Sequence, residues 1–406
     1  MPTGSRSGVA AAGPGSSMSV VVGLTLWCGA CLGHTVLMVF TMNWLYGCPF
    51  PKMVMKPVRP IYAVLIVAGC SSFLWVLWQC DFDWQRVLLE SNQVLATYVL
   101  LCWVAAFVFF PATTLFNRWI RNPAVLLSNH THTVDVSHEL GFKPIGLGKR
   151  RHIAALPFNQ CFKVDFSERY LQLPQIPAAW DGLKILHLSD LHFCGTPDRA
   201  FYQHVIERCL PWEPDLVALT GDFVDTDQHY RWIVPLLGRL RWKIAGFAIL
   251  GNHDCWRDPV VIRRRLRRIG LRVLGNGWEK LDVRGEPMVV IGHEGPWFRP
   301  EPDLSACPAE GFRLCLSHTP DNLPWAERHH MDLVLAGHVH GGQIRLPGTG
   351  SIFVPSRFSR RYDMGTFQQG RTVMHVSRGL AGEFPYRFNC RPEVTLVVLQ
   401  REPLAA

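Results

Sequence analysis

The chain carries two different patterns of hydrophobicity. Before residue 120 there are three long apolar runs, at about 19–42, 60–79 and 94–116, each of 20 or more residues without Asp, Glu, Lys or Arg. That length is enough for a helix to cross a hydrocarbon core of about 30 Å. None of the runs shows the one-sided period of a soluble helix. The first is long and two more follow it, which argues against a cleaved signal peptide. Residues 1–17 are mostly Gly, Ser, Ala and Pro, with Arg6 as the only charge, and read as a disordered tail. From about residue 160 the pattern changes to short Leu-rich or β-branched runs separated by turns: 184–188, 216–219, 247–250, 288–291, 313–316, 333–335 and 394–399. A helix-like segment at 258–269 lies between two of them. Strands with intervening helices predict an α/β layered domain. The expected organisation is a tail at 1–17, a membrane domain with three transmembrane helices at 18–120, a connector at 121–159 and the α/β domain at 160–401.

Composition and charge refine this outline. The 406 residues are 48% hydrophobic and 18% charged, which excludes disorder for most of the chain. Lys and Arg exceed Asp and Glu by 41 to 32, a net +9. This is mild for a nucleic-acid binder and common for a protein lying against anionic lipid. Lys52, Lys56 and Arg59 lie between the first two runs, and Arg118 and Arg121 follow the third. The tail and the second loop carry only Arg6 and Arg86. The positive-inside bias therefore predicts a multi-pass membrane protein with its C-terminal domain on the cytoplasmic side. The 13 cysteines are an odd number without a disulfide framework and fit a reducing compartment. The arginine run at 263–268 reads either as a solvated helix face or as a surface held against anionic lipid heads. Without a reading module or interleaved aromatics, no nucleic acid is expected.

The chemistry sits after the strands. Ser189-Asp190-Leu191-His192 follows the first run, Thr220-Gly221-Asp222 the second and Gly251-Asn252-His253-Asp254 the third. Ser317-His318 and Gly337-His338-Val339-His340 follow later ones. Polar groups at the C-terminal ends of strands are where open α/β sheets gather ligands. Imidazole and carboxylate together suit Mn, Fe or Zn. Two residues apart in an extended segment, Asp190 and His192 would point to one side, as would His338 and His340. Cys194 and Cys255 lie nearby and are read as packing, because thiolates would favour closed structural zinc.

The ordered set D-x-H, G-D, G-N-H-D, H and G-H-x-H resembles that of the calcineurin-like metallophosphoesterases over residues 160–401. Within them, AGHVHGGQIRLP at 336–347, VSRGLAG at 376–382 and RFNCRPEVTLVVL at 387–399 resemble a membrane-associated bacterial branch, the YkuE-type phosphohydrolases. The resemblance implies a four-layer α/β/β/α sandwich and two divalent metal ions. Asp190, His192, Asp222 and His340 would hold one ion. Asp222, Asn252, His318 and His338 would hold the other, with Asp222 bridging. His253 would act as general acid or transition-state donor, with Asp254 orienting it. Arg345, Arg378 and Arg387 are candidate phosphate contacts, and Trp297 and Phe298 a candidate apolar rim. The implied reaction is hydrolysis of a phosphate ester or pyrophosphate by a metal-activated hydroxide, on a lipid or UDP-linked lipid. The competing reading is an inactive binding or sensor protein that keeps the fold. A transporter is disfavoured, since the three spans offer no charged path.

Overall fold

The computed structural model describes residues 14–173 and 175–401, and the chain divides into two compact units, residues 1–42 with 53–115 and residues 43–52 with 116–406. The three apolar runs are helical, in Pro14–Tyr46, Val58–Gln79 and Gln93–Val104. The last continues through a wider turn, Ala105–Phe109, into Phe110–Trp119. That turn lies beside Pro111, which lacks an N–H and cannot keep the regular ladder. Val20–Tyr46, Lys52–Gln79 and Gln93–Trp119 are long and apolar enough to cross a membrane. The first helix begins at Pro14, inside the expected tail, and residues 1–13 of that tail lie outside the described residues. Close helix packing in this unit depends on small residues. A Cβ at Gly33 would fall 1.7 Å from the Cys102 carbonyl oxygen.

The second unit is built on strands β1 (Leu126–Asp135), β2 (Lys163–Gln172), β3 (Leu183–Leu188), β4 (Leu216–Thr220), β5 (Ala245–Ile249), β6 (Arg272–Val273), β7 (Trp278–Val283), β8 (Glu286–His293), β9 (Phe312–Ser317), β10 (Leu333–Ala336), β11 (Arg345–Leu346), β12 (Gly350–Ser351), β13 (Gly365–Gln369), β14 (Thr372–Val376) and β15 (Glu393–Gln400). One sheet has the order β1-β2-β15-β3-β4-β5-β6 and the other β13-β14-β10-β9-β8-β7. β3 to β6 run parallel in the first sheet, and β8, β9, β10 and β14 in the second.

Side-chain alternation sorts the layers. Ile185, Ala218 and Phe247 of the first sheet meet Leu314, Leu316 and Leu335 of the second in one apolar cluster. The opposite face of the first sheet, with Leu186 and Leu219, packs on Phe201, Ile233 and Leu266 from helices. The outer face of the second, with Val334 and Met374, packs on Leu323 and Trp325. This is the expected four-layer α/β/β/α sandwich. Strands on both faces buried explain the near-continuous apolar runs in the sequence. The expected runs fall on β3, β4, β5, β8, β9, β10 and β15. The expected connector is corrected in part, because residues 126–135 form β1, paired antiparallel along β2. Its polar sequence, LLSNHTHTVD, belongs to an edge strand largely open to solvent, so the hydrophobic pattern did not mark it.

Two imidazoles are sealed between the sheets. His187 and His375 lie edge to face at 5.5 Å, and their Nε2 atoms meet the hydroxyls of Thr220 and Thr395 at 2.9 and 3.2 Å. Burial pushes His187 down to about 4 and His375 well below the ordinary imidazole range. In the unfolded chain both take up a proton near pH 6.5. Below that pH the unfolded state binds more protons than the folded one, so folding stability falls as pH drops from 6.5 toward 4. The expected loss is up to about 1.4 kcal/mol per pH unit for each group. Thermal melts of the detergent-purified, chelator-treated protein at pH 7, 6 and 5 should show this slope, and His187→Gln should flatten it.

Candidate metal centre

The parallel strands of both sheets end at the same edge of the sandwich, nearly flush. Leu188 pairs with Leu219 and Ile249 with Thr220 in one sheet, and Ser317 pairs with Ala336 in the other. The next residues are the polar clusters seen in the sequence, so two sheets deliver Asp190, His192, Asp222, Asn252, His318, His338 and His340 to one place. All are buried apart from His340, which is partly so.

The expected extended geometry of D-x-H and H-x-H is not what brings the pairs together. Asp190, His192, Asp222, His338 and His340 all have left-handed backbone, with φ between 43° and 72°. Such conformations are costly for residues with a Cβ and persist where the surroundings dictate them. Each tight turn also sends its intervening residue into a core, Leu191 on the helix side of the first sheet and Val339 behind the second. Gly337 makes the close approach possible, since a Cβ there would lie 1.9 Å from the Ser189 hydroxyl.

Three groups of donors result: Asp190, His192 and His340; Asp222, His318 and His338; and His192, Asp225 and His253, with donor atoms within 4.8 Å of one another in each. Asp222 lies between the first two. Its Oδ2 is 3.5 Å from His192 Nε2 and 3.4 Å from His318 Nε2. Asn252 Oδ1 is 2.9 Å from His318 Nε2. The opposite ring nitrogens are occupied: His318 Nδ1 meets Thr220 O at 2.7 Å, and His340 Nδ1 meets Ala381 O at 3.1 Å. Such bonds fix the tautomer and aim Nε2 at the centre. Asp222 Oδ2, His192 Nε2 and His338 Nε2 are buried without a hydrogen-bond partner. Orphaned buried donor atoms of this kind are costly unless something satisfies them, and a set of imidazole, carboxylate and amide oxygen fits borderline divalent cations.

The electrostatics agree. Burial alone would raise the Asp222 carboxyl, but the imidazoles of His318, His253 and His192 hold it well below the usual carboxylate range. Burial drives His340 down to about 3, outweighing the facing Asp190, and drives His338 well below its ordinary value. Both are therefore neutral at neutral pH, with a lone pair to offer. Burial pushes the Cys194 thiol up to about 11, and its Sγ and that of Cys255 contact the carbonyls of Thr196 and Trp297.

Three expectations are corrected. Asp254 does not orient His253; its carboxylate accepts the backbone N–H groups of Gly251, Phe223 and Val224 and so ties two strand-end loops together. Asp225 takes that role, with one oxygen 2.6 Å from His253 Nδ1 and 3.0 Å from His192 Nδ1. It was legible as the second Asp of G-D-F-V-D, but nothing in a single chain separates it from a solvated loop residue. The candidate phosphate arginines are committed elsewhere. Arg345 pairs with Asp363 at 2.5 Å, Arg378 with Asp165 and Glu393 at 3.0 Å, and the Arg387 guanidinium donates to four main-chain carbonyls. Two half-buried indoles flank the cluster instead. Trp297 lies 4.7 Å from the His338 ring and 5.6 Å from that of His318, and Trp256 lies 4.8 Å from that of His253. Phe298, the other expected rim residue, packs toward the helical core and under the Arg263 guanidinium.

The chain is similar to known proteins over this unit. A sequence model of the calcineurin-like phosphoesterases matches residues 183–342. The metallophosphoesterase YkuE of Bacillus subtilis is 31% identical over 58% of this chain and 86% of its own length. The phosphodiesterase YaeI of Escherichia coli is 32% identical over 53% of this chain and 82% of its own. The UDP-2,3-diacylglucosamine pyrophosphatase LpxG of Chlamydia muridarum is 26% identical over 57% of this chain and 88% of its own.

Asp225 holds the Nδ1 atoms of both His192 and His253. Asp225→Ala should weaken divalent-metal binding by about 10–100-fold, the usual effect of removing a carboxylate behind a ligating histidine. Titration of the chelator-stripped protein with Mn²⁺ measures this.

Proposed function

We propose a reaction from one premise: this chain belongs to the calcineurin-like phosphoesterase family, and is a metal-dependent phosphoric ester hydrolase. The proposed activity is hydrolysis of a phosphodiester or pyrophosphate with apolar substituents, a lipid or UDP-linked lipid, at a membrane surface. Asp190, His192, Asp222 and His340 would hold one divalent ion, and Asp222, Asn252, His318 and His338 a second. The observation that carries this reading is the position of the Asp222 carboxylate, whose unpartnered Oδ2 faces an imidazole from each group at 3.5 and 3.4 Å. Two ions so held supply Lewis acidity to the phosphoryl oxygens and lower the pKa of a bound water.

The chain's own residues supply the rest. His253 donates its backbone N–H to Asp222 Oδ1 at 2.8 Å, which fixes the residue over the cluster. With Nδ1 engaged by Asp225, the free ring nitrogen is Nε2, placed to hand a proton to the departing oxygen. The His253 side chain is 13% exposed, so it meets substrate and solvent from a largely walled position. Trp256 and Trp297 offer apolar faces to the groups attached to phosphorus. The helices long and apolar enough to cross a membrane, together with the names of YaeI and LpxG, favour a diester or pyrophosphate of a lipid. The basic flank at Lys52, Lys56 and Arg59 favours the cytoplasmic side for this unit.

His253→Ala should lower kcat by about 10²–10⁴-fold, the range for a general acid, with metal content unchanged. Asp222→Ala should abolish turnover and lower metal content. The full-length protein in detergent, loaded with Mn²⁺, would be tested on p-nitrophenyl phosphate, bis(p-nitrophenyl) phosphate and a UDP-diacylglucosamine. Turnover of the last two and little of the first is expected. Two bound ions with no hydrolysis of any of them would favour the binding-protein reading.

A further inference from the structure

Arg387 is among the most deeply buried large side chains of the second unit, with 1% of its surface exposed. A guanidinium in such a place normally pairs with a carboxylate. Among the described residues none lies within ion-pair distance of it. Its donors go to main-chain carbonyls: Nη1 to His340 O at 3.0 Å and Arg378 O at 2.8 Å, Nη2 to Ala381 O at 2.5 Å and Gly379 O at 3.4 Å. The planar, weakly hydrated fork of arginine suits this use, and an ammonium on a flexible stem does not.

Those carbonyls are not a random set. The His340 carbonyl belongs to a residue with left-handed backbone, φ 51°. The Ala381 carbonyl is the one that His340 Nδ1 bonds at 3.1 Å. One guanidinium therefore holds both the backbone and the ring acceptor of the same imidazole. The loop it grips also reaches the other side of the cluster. Leu380 N donates to Ser189 O at 3.0 Å and Ala381 N to Asp190 O at 2.9 Å. Gly379 is pressed so close that a Cβ would lie 2.6 Å from that of Asp190. Asp190 and His340 are two of the three residues of one donor group. The Asp222, His318 and His338 group receives no direct bond from Arg387 or from this loop; it meets Asp190 through the His338 backbone N–H, which donates to the Asp190 carboxylate at 3.0 and 3.1 Å.

We propose that Arg387 is a positioning residue for one half of the metal centre, setting Asp190 and His340 through the carbonyls at 378–381 and of His340 itself, with no direct bond to the other half. This rests on the two-metal reading above. It gives the cation a role that a phosphate contact would not, since the guanidinium is sealed from substrate.

The test is metal binding by the full-length protein in detergent. Wild type, Arg387→Lys and Arg387→Met would be stripped with chelator and titrated with Mn²⁺ by calorimetry, with electron paramagnetic resonance at one and two equivalents. Wild type should bind two ions, with a spin-coupled spectrum at two equivalents. Both variants should keep one ion at wild-type affinity and bind the second about 10–100-fold more weakly, leaving an uncoupled Mn²⁺ spectrum. Asn252→Ala should weaken the opposite ion, and its combination with Arg387→Lys should weaken both. Melting curves identify a variant that fails to fold, in which case Arg387→Lys carries the test. Equal loss of both ions, or no loss, in a folded variant overturns the proposal alone. Fewer than two ions in the wild type overturns the two-metal reading and the proposal with it.

Discussion

The arrangement turns on one buried charge. Asp222 is 1% exposed, accepts the His253 backbone N–H with one oxygen, and leaves the other unpaired between two imidazoles. A carboxylate removed from water is several kcal/mol unfavourable unless opposite charge or hydrogen bonds compensate. Everything around Asp222 supplies compensation or leaves room for it. The imidazoles of His192 and His318 face it from the two sheets, and the left-handed turns at Asp190, His192, Asp222, His338 and His340 are strained in themselves. Stability has been given up locally to gather carboxylate oxygens and imidazole nitrogens with open lone pairs, as is common where function requires preorganisation.

Around that centre a second tier of buried polar groups fixes direction. Asp225 sets two imidazoles, Asp254 ties adjacent loops through backbone N–H groups, and Arg387 collects carbonyls. The ion network of Arg169, Arg378, Asp165 and Glu393 joins β2 and β15 to the segment after β14, with Arg169 and Arg378 each 3.0 Å from Glu393. Such a network is weak evidence for stability, because desolvation offsets much of the attraction. Its value lies in geometry, since each group has few alternative partners once buried. The same logic explains why the three arginines near the motifs do not face substrate. Arginines in the loops that carry the ligands are surrounded by carbonyls and carboxylates that need donors.

Much of this was legible beforehand. The seven apolar runs fell on strands because a strand covered on both faces must be apolar at nearly every position. The three long runs fell on helices for the same reason of environment. The candidate ligands stood out because several polar residues follow strand ends in order. What failed was whatever depended on a partner distant in sequence. β1 looked like a connector because its apolar face is small and its pairing with β2 is made by backbone. Asp254 is adjacent to His253 in sequence, but the turn sends the two side chains apart and Asp225 comes in from the loop after β4. The D-x-H and H-x-H pairs converge through left-handed turns, a property of the loop's contacts and of no residue type in it.

The sequence by itself determined the separation of an apolar helical part from an α/β part, the strands of the sandwich, and the residue types gathered at the strand ends. These follow from local composition and period, because burial on one face, two faces or in lipid leaves a direct imprint on hydrophobicity. Only the tertiary structure decided which imidazole nitrogen is free, which carboxylate stands between two groups, and that Arg387 grips main chain rather than substrate. Those outcomes depend on distances of a few ångströms between residues far apart in the sequence, and hydrogen-bond partners are chosen by what the packed sheets bring within reach.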